Sequence, residues 1–413
     1  MRVFRRLMLG GIDVNSFPET KKLYYKATKR IIPKKDSLGS SVIINMWDTN
    51  TQEGVIICSN DIESIGESAF ESQTTLSKIV IPSKVTTIGQ CAFRYCSSLE
   101  QVNIQSACYI DHMAFEGTSL SRINIPKGTT FGQRCFFDGN FTPERRSREV
   151  YFEGSLEDWI NTYFYGSESN PMYVYSGVSD KKPSTLYINN HIVEDISIPY
   201  LANPSFYNCG SLKSVTIEGG SYITRNAFSY CTNLVKITLP DTLTTIESYS
   251  FTNCTNLKQV IYKGELEDWL RLSMAIYREG AADSSPLEYC EEFYIGKNKE
   301  PLINITIPDS ITSIKPLVLY NVPTLQSITF HSNVSTISNL SISCNPLLKY
   351  CDFSNHTSIP KMKHYNAFWK IPTTCKIIVP DALYEEWIAA TNWSTYADNI
   401  IKKSDWDAQQ VTE

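Results

Sequence analysis

Ile81-Pro82-Ser83-Lys84-Val85-Thr86-Thr87-Ile88-Gly89-Gln90-Cys91-Ala92-Phe93-Arg94-Tyr95-Cys96-Ser97-Ser98-Leu99 and Leu239-Pro240-Asp241-Thr242-Leu243-Thr244-Thr245-Ile246-Glu247-Ser248-Tyr249-Ser250-Phe251-Thr252-Asn253-Cys254-Thr255-Asn256-Leu257 are two copies of one phrase. Outward from them, the pattern Leu-x-x-Ile-x-Ile recurs as Leu76/Ile79/Ile81, Leu99/Val102/Ile104, Leu120/Ile123/Ile125, Leu212/Val215/Ile217, Leu234/Ile237/Leu239 and Leu325/Ile328/Phe330. Uninterrupted runs step by 21 to 23 residues. The last two apolar residues of each pattern are two apart, so they share one face of a short strand, and the leading Leu enters the same core from the preceding turn. Proline follows the last inward residue at Pro82, Pro126, Pro199, Pro240, Pro308 and Pro380, where its missing N–H ends the ladder.

A second apolar pair three residues apart follows each strand, as in Val85/Ile88, Leu243/Ile246, Ile311/Ile314 and Val334/Ile337, and fits the return side of a coil. Next comes a small residue beside a ring: Ala69-Phe70, Ala92-Phe93, Ala114-Phe115, Ala227-Phe228 and Ala367-Phe368, with Cys135-Phe136 and Ser250-Phe251 as variants. One ring per coil fills the space between neighbours while the small residue keeps the backbones close. The period is that of leucine-rich repeats. The fold expected is therefore α/β and β-rich: a right-handed leucine-rich-repeat solenoid with one short parallel strand per coil, helical insertions and capping elements. Its repeat core includes Phe93, Cys96, Leu99, Phe228, Cys231, Leu234, Phe251, Cys254 and Leu257.

The twelve cysteines follow the repeat. Cys96, Cys209, Cys231, Cys254 and Cys344 each stand three residues before a Leu, a packing position for a small hydrophobe that donates weakly to a turn carbonyl. Disulfides between neighbouring coils or a metal site are the competing assignments, but no Cys-x-x-Cys pair supports the latter.

Val150-Tyr-Phe-Glu-Gly154-Ser-Leu-Glu-Asp-Trp159 and Val260-Ile-Tyr-Lys-Gly264-Glu-Leu-Glu-Asp-Trp269 are related interruptions, each a strand followed by a short helix whose first turn is acidic. Trp159, Trp269, Trp387 and Trp393 are expected to cap exposed ends of the stack. The resulting division is a basic arm over 1–20, an N-terminal cap over 21–60, repeats over 61–149, an insertion over 150–198, repeats over 199–262, a second insertion over 263–304, repeats over 305–375, and a C-terminal cap and tail over 376–413.

The 413 residues are 42% hydrophobic and 20% charged, with net charge −5, which excludes a disordered chain. Residues 1–35 carry +8 and leave −13 for the rest. The basic start, with Arg2, Arg5 and Arg6, is either a docking arm toward an acidic partner or another subunit, or a solvated end. Leu7-Met8-Leu9-Gly10-Gly11-Ile12 is at the short end of what a secretion signal needs and is interrupted by Asp13 and Asn15, which leaves export by a classical signal as the lesser alternative, and no run is long enough to span a bilayer.

The two opening phrases resemble the BspA-like leucine-rich repeats of bacterial surface antigens. The Gly-x-Leu-Glu-Asp-Trp segments and the ending Val379-Pro-Asp-Ala-Leu-Tyr-Glu-Glu-Trp-Ile-Ala-Ala-Thr-Asn-Trp-Ser-Thr-Tyr-Ala397 resemble parts found in members from gut bacteria and their phages. The resemblance spans roughly 60–397 and implies adhesion or host-surface binding without enzymatic activity. A start without an export leader departs from it and points toward a phage virion protein as the alternative to cell-surface display.

No nucleophile elbow, phosphate-cradling loop or zinc-protease motif occurs. The acid pairs Glu157/Asp158 and Glu267/Asp268 could suggest a glycan-active enzyme, but their place at helix starts favours capping. Asp111-His112 is expected on a coil surface. No cofactor and no specific nucleic-acid recognition is expected. The candidate partner-binding or glycan-binding cluster is Tyr163, Phe164, Tyr165, Tyr173 and Tyr175, whose rings could lie on a sugar or anchor a protein, or merely seal the loop. The partners expected are virion or envelope subunits or host glycans, with homo-oligomerisation through the N-terminal region and a purely structural role as alternatives.

Overall fold

The computed structural model describes residues 8–9, 12–137, 147–173, 182–201, 203–276 and 282–411. The chain divides into two compact units, Met1–Glu194 with Ala202–Ser211, and Asp195–Leu201 with Leu212–Glu413.

In the first unit Leu76–Ile81, Gln101–Ile104, Arg122–Pro126, Glu149–Glu153 and Thr185–Ile188 form a parallel ladder. Its register aligns the inward residues Ile79, Val102, Ile123, Val150 and Leu186, all buried. Pro126 is the last residue of its strand, and its pairing with Glu153 is the last of that ladder. One end of the ladder is closed by antiparallel strands: Lys22–Ala27 pairs with both Leu76–Ile81 and Glu53–Cys58, and Val42–Trp47 lies outside the latter. At the other end Thr185–Ile188 turns back into His191–Ile192.

A second parallel ladder of two-residue strands, Ser64–Ile65, Thr87–Ile88, Tyr109–Ile110 and Thr130–Phe131, runs along the return side. Each of these coils therefore carries two strands, where one was expected. Thr87 meets Ser64 and Tyr109, and Ile88 meets Ile65 and Ile110, at the same height in the neighbouring coils, so their backbone groups pair there.

The second unit repeats the plan. Asp195–Ile198, Ser214–Ile217, Lys236–Leu239, Gln259–Tyr262 and Glu292–Ile295 are parallel and end in the antiparallel Glu300–Pro301. A separate parallel sheet follows: Asn304–Thr306, Ser327–Thr329, Tyr350–Asp352, Lys376–Val379 and Ile400–Lys402.

Between the two ladders lies the ring position. Phe70, Phe93, Phe115 and Phe136 stack with successive centroids 5.2, 5.2 and 5.7 Å apart and planes within 5°. Phe228 and Phe251 stack at 5.6 Å with planes 17° apart. Within uninterrupted runs the backbone N–H of the ring residue donates to the small residue's carbonyl in the next coil: Phe70 to Ala92 at 2.8 Å, Phe93 to Ala114 at 2.8 Å, Phe228 to Ser250 at 2.9 Å; ahead of the interruptions Phe136 donates instead to Glu168 O at 3.4 Å and Phe251 to Asp283 O at 3.2 Å. A larger residue at that small position would hold the coils too far apart for the bond. In the reverse direction the Cys96 thiol donates to Phe70 O at 3.0 Å and the Cys254 thiol to Phe228 O at 3.1 Å. Burial pushes the Cys96 thiol up to about 12, keeping its proton in place for that bond. Phe93, Cys96, Leu99, Phe228, Cys231, Leu234, Phe251, Cys254 and Leu257 are all buried, and all twelve cysteines are free.

Cys344 is not one of this set. It is half-buried, while Asn345 is fully buried and donates through Nδ2 to Leu319 O at 2.8 Å, taking the thiol's part. The residue two beyond each ring position adopts left-handed φ, at Ser72 (60°), Tyr95 (57°), Tyr230 (63°), Asn253 (57°) and Asn321 (51°), and Cys344 (61°) occupies that slot. The repeat Leu of this coil is accordingly the buried Leu348, not the exposed Leu347.

The two interruptions carry the helices Leu156–Ile160 and Leu266–Arg271, each opened by a capping box, Ser155 with Asp158 and Glu265 with Asp268. Glycine is required just before them because the preceding ring lies across the backbone. A Cβ on Gly154 would sit 2.6 Å from a Phe152 ring carbon, and one on Gly264 2.7 Å from Tyr262. Trp159 and Trp269 cap no exposed end. Both are fully buried, and their indole N–H groups donate to Ser205 O at 3.0 Å and Val318 O at 2.6 Å. Ser205 and Val318 hold the small-residue position of a later coil, so the indole supplies the donor that a ring residue's backbone supplies elsewhere. Trp387 and Trp393 are buried in the last turn of the second unit, 5.7 and 5.5 Å from Phe353.

Replacing Trp269 by Phe should cost about 1–3 kcal/mol, because Val318 O loses its donor. Trp387 has a buried indole N–H without a hydrogen-bond partner among the described residues, so Trp387→Phe should stay within about 1 kcal/mol of the parent. Urea unfolding of both variants checks this; an equal or larger loss for Trp387→Phe would refute the assignment.

Candidate binding face

The strand period of two sends every residue between two inward positions to the outer face of the sheet. In the first unit these form a continuous row: Val80, Asn103, Asn124, Tyr151 and Tyr187. Beside it runs Lys78, Gln101, Arg122, Glu149 and Thr185. None of the ten is buried.

The rows converge on one rigid cluster. The Tyr151 and Tyr187 rings stack at 4.4 Å with planes 2° apart, and the Arg122 guanidinium lies 4.0 Å from the Tyr151 centroid. The Tyr151 hydroxyl donates to Glu149 Oε2 at 3.1 Å, and Arg122 reaches the same carboxylate at 3.8 Å. Partial burial, foremost, raises the Tyr151 hydroxyl above its ordinary value, so it remains a neutral donor. A planar cation, two parallel rings and a shared carboxylate make a flat, pre-ordered surface with both donors and acceptors at its rim. The corresponding row of the second unit is Ser197, Thr216, Thr238, Ile261 and Tyr294, which offers no such stack.

The aromatic cluster expected from sequence divides. Tyr163 and Tyr165 are 62% and 57% exposed, their rings 6.2 Å apart and perpendicular. Phe164 and Tyr173 are buried and are not contact residues. Phe164 packs between Phe131 at 5.4 Å and Trp159 at 5.3 Å, and Tyr173 stacks on Tyr207 at 5.5 Å. Tyr175, Arg2, Arg5 and Arg6 lie outside the described residues.

The acidic pairs serve local structure. Asp158 accepts from Ser155 and pairs with Lys127 at 2.8 Å; chiefly the Lys127 bond, then Ser155, holds its carboxyl down at about 2. Glu267 is bonded to Arg271 and Ser310, and lies below its ordinary range for that reason. A general acid needs the opposite shift. Asp111 accepts from the His112 backbone at 2.6 Å, while the imidazole turns away to Gln133 O at 3.0 Å. Among the described residues no three metal-ligating side chains converge, and no helix is long and apolar enough to cross a membrane. One carboxyl does stand out: burial, reinforced by Asp283, raises Glu288 to about 7.

A family model described as BspA type leucine rich repeat region matches residues 49–142, 184–270 and 293–386, with six copies. No curated protein matches the chain. Among solved structures, the chain is similar to the pneumococcal vaccine antigen PcpA, at 20% identity over 83% of this chain and 71% of that one, with a TM-score of 0.37. It is also similar to a leucine-rich repeat protein from Bacteroides ovatus (21% identity, 78% and 68% covered, TM-score 0.31). A leucine rich cell surface protein from Faecalibacterium prausnitzii is similar as well (19% identity, 84% and 86% covered, TM-score 0.30).

The Glu288 carboxyl binds its proton more tightly folded, at about 7, than at its ordinary 4.5. Its favourable contribution is complete below the lower value and is lost as pH rises through the higher one. Glu288→Gln should therefore match the parent at pH ~4 and exceed it by about 2 kcal/mol at pH ~8, allowing for partial exposure. Urea midpoints at the two pH values decide; an unchanged difference would remove the burial assignment.

Proposed function

The chain belongs to the BspA-type leucine-rich-repeat family, and from that premise we propose that it is a non-enzymatic binding protein, displayed on a bacterial cell surface or carried on a phage particle, that recognises a host protein or glycan. In this reading the coils wind right-handed, the stretches 150–198 and 263–304 are insertions into the array, and the recognition surface is the outer sheet face of the first unit. The observation that carries it is the stack of Arg122, Tyr151 and Tyr187. Half-exposed aromatics held parallel by their neighbours lose little conformational freedom on binding and bring large contact area. The exposed Tyr163 and Tyr165 are a second contact point on this reading.

A structural role through the N-terminal region is the second reading, and one observation favours it. Val42–Trp47 is an edge strand with no charged residue, and it exposes Val42 and Ile43 at 42% and 52%. Uncharged edges invite pairing with another strand. Placing Ile43→Lys there should convert an assembly to monomers in light scattering if the edge is used; a parent already monomeric at about 10 μM rejects this reading.

For the primary reading, the full chain is screened against glycan arrays and host-surface protein extracts, and each ligand found is titrated with the double variant Tyr151→Ala/Tyr187→Ala. Affinity should fall by about tenfold or more, equal to about 1.4 kcal/mol, with the melting temperature within a few degrees of the parent. Equal affinity would locate recognition elsewhere.

A further inference from the structure

The last coil of the second unit meets the terminal turn at an open cleft of about 490 Å³, lined by Tyr365, Asn366, Trp369, Lys370, Thr395 and Tyr396. Both lips are fixed to backbone. Asn392 Nδ2 donates to Met362 O at 2.8 Å, Trp393 Nε1 to Pro360 O at 2.8 Å, and Asn399 Nδ2 to Cys375 O at 2.9 Å. The Tyr396 hydroxyl on the floor donates to the Tyr365 carbonyl. A ligand would thus meet a formed site and need order little of it.

The cleft keeps its rings outward. Phe368 is buried at the coil's ring position, but its neighbour Trp369 is 39% exposed and Tyr365 is 51% exposed. Lys370, left-handed at φ 57°, returns its ammonium to 4.2 Å from the Trp369 ring centre. Among the described residues no carboxylate pairs with Lys370, and no acidic residue lines the cleft. The side-chain amide of Asn366 and the hydroxyl of Thr395 likewise make no hydrogen bond within the described residues. Two carbonyls of the lip are taken: Asn366 O accepts from the Ser343 hydroxyl at 2.6 Å, and Trp369 O from Cys344 N at 2.7 Å.

We propose that this cleft binds an acidic pyranoside, a sugar ring bearing a carboxylate. Exposed indole and phenol faces suit the C–H face of a pyranose. The Asn366 amide and Thr395 hydroxyl suit its ring hydroxyls, and the unpaired ammonium beside the indole suits its carboxylate. An extended peptide would find the Asn366 and Trp369 carbonyls of the lip already bonded. The site is independent of the outer sheet face of the first unit.

The test is titration of the full chain with galacturonate, glucuronate and N-acetylneuraminate trisaccharides, with maltotriose as the neutral probe, followed by calorimetry. At least one acidic trisaccharide should bind about tenfold tighter than maltotriose. Trp369→Ala and Lys370→Asn, the latter tolerated at left-handed φ, should each weaken it by about tenfold, and salt raised from about 50 to 500 mM should weaken it further. The double variant Tyr151→Ala/Tyr187→Ala should bind as the parent does. Failure of all three acidic sugars, equal affinity for maltotriose, or unchanged binding by Trp369→Ala would overturn the proposal whatever the sheet face binds.

Discussion

Successive coils are held together at one small spot, the carbonyl of the small residue beside each ring. In regular coils that oxygen takes the N–H of the preceding coil's aromatic residue, as Ala92 O takes Phe70 N–H and Ala114 O takes Phe93 N–H. The bond sets how near two coils come, and that spacing in turn lets the phenylalanines stack at about 5 Å and lets both strand ladders keep register. A single coil has nowhere to bury its ring and no partner for these groups, so it has no stability of its own. Where an interruption replaces the regular ring, Trp159 and Trp269 bring an indole N–H to the same oxygen. The interruptions are therefore tied into the stack by the rule that governs the rest of it.

The same economy separates core from surface. Inward positions are nearly interchangeable aliphatics, while the residue between them, unburied throughout the first unit, can be chosen for contact. In the first unit it is Asn103, Asn124, Tyr151 and Tyr187; in the second it is mostly Ser and Thr. The pre-ordered aromatic stack is thus a local departure from a plain polar face, arising where the sheet meets the first interruption and its strand Glu149–Glu153.

Much of this was legible in the primary structure because period and chemistry coincide: the Leu-x-x-Ile-x-Ile pattern, the small residue beside the ring, and the buried thiols all mark inward positions. The errors fall where the period lapses or is ambiguous. At Cys344 and Asn345 two residues both suit a turn, and Leu347-Leu348 offers two choices of repeat Leu; only the left-handed φ decides. Phe164 and Tyr173 lie in an interruption with no periodicity, so their burial could not be told from that of Tyr163 and Tyr165. The second strand of each coil was hidden because a two-residue ladder leaves no alternation to read. The roles of Trp159 and Trp269 depended on a carbonyl some fifty residues away in sequence. The outer row was visible as the middle letter of each Ile-x-Ile, but it carries no signal until the strands are placed side by side.

The indole bonds bear on how the molecule would respond to load. A stack joined only by ladders between neighbouring coils yields by peeling, one coil after another. Trp159 and Trp269 reach past that sequence to backbone 46 and 49 residues further on, so shedding at an interruption must break a buried cross-tie as well as a ladder. Each tie lies inside its own unit, Trp159 to Ser205 in the first and Trp269 to Val318 in the second, and adds one buried bond that must break before that unit comes apart at its interruption.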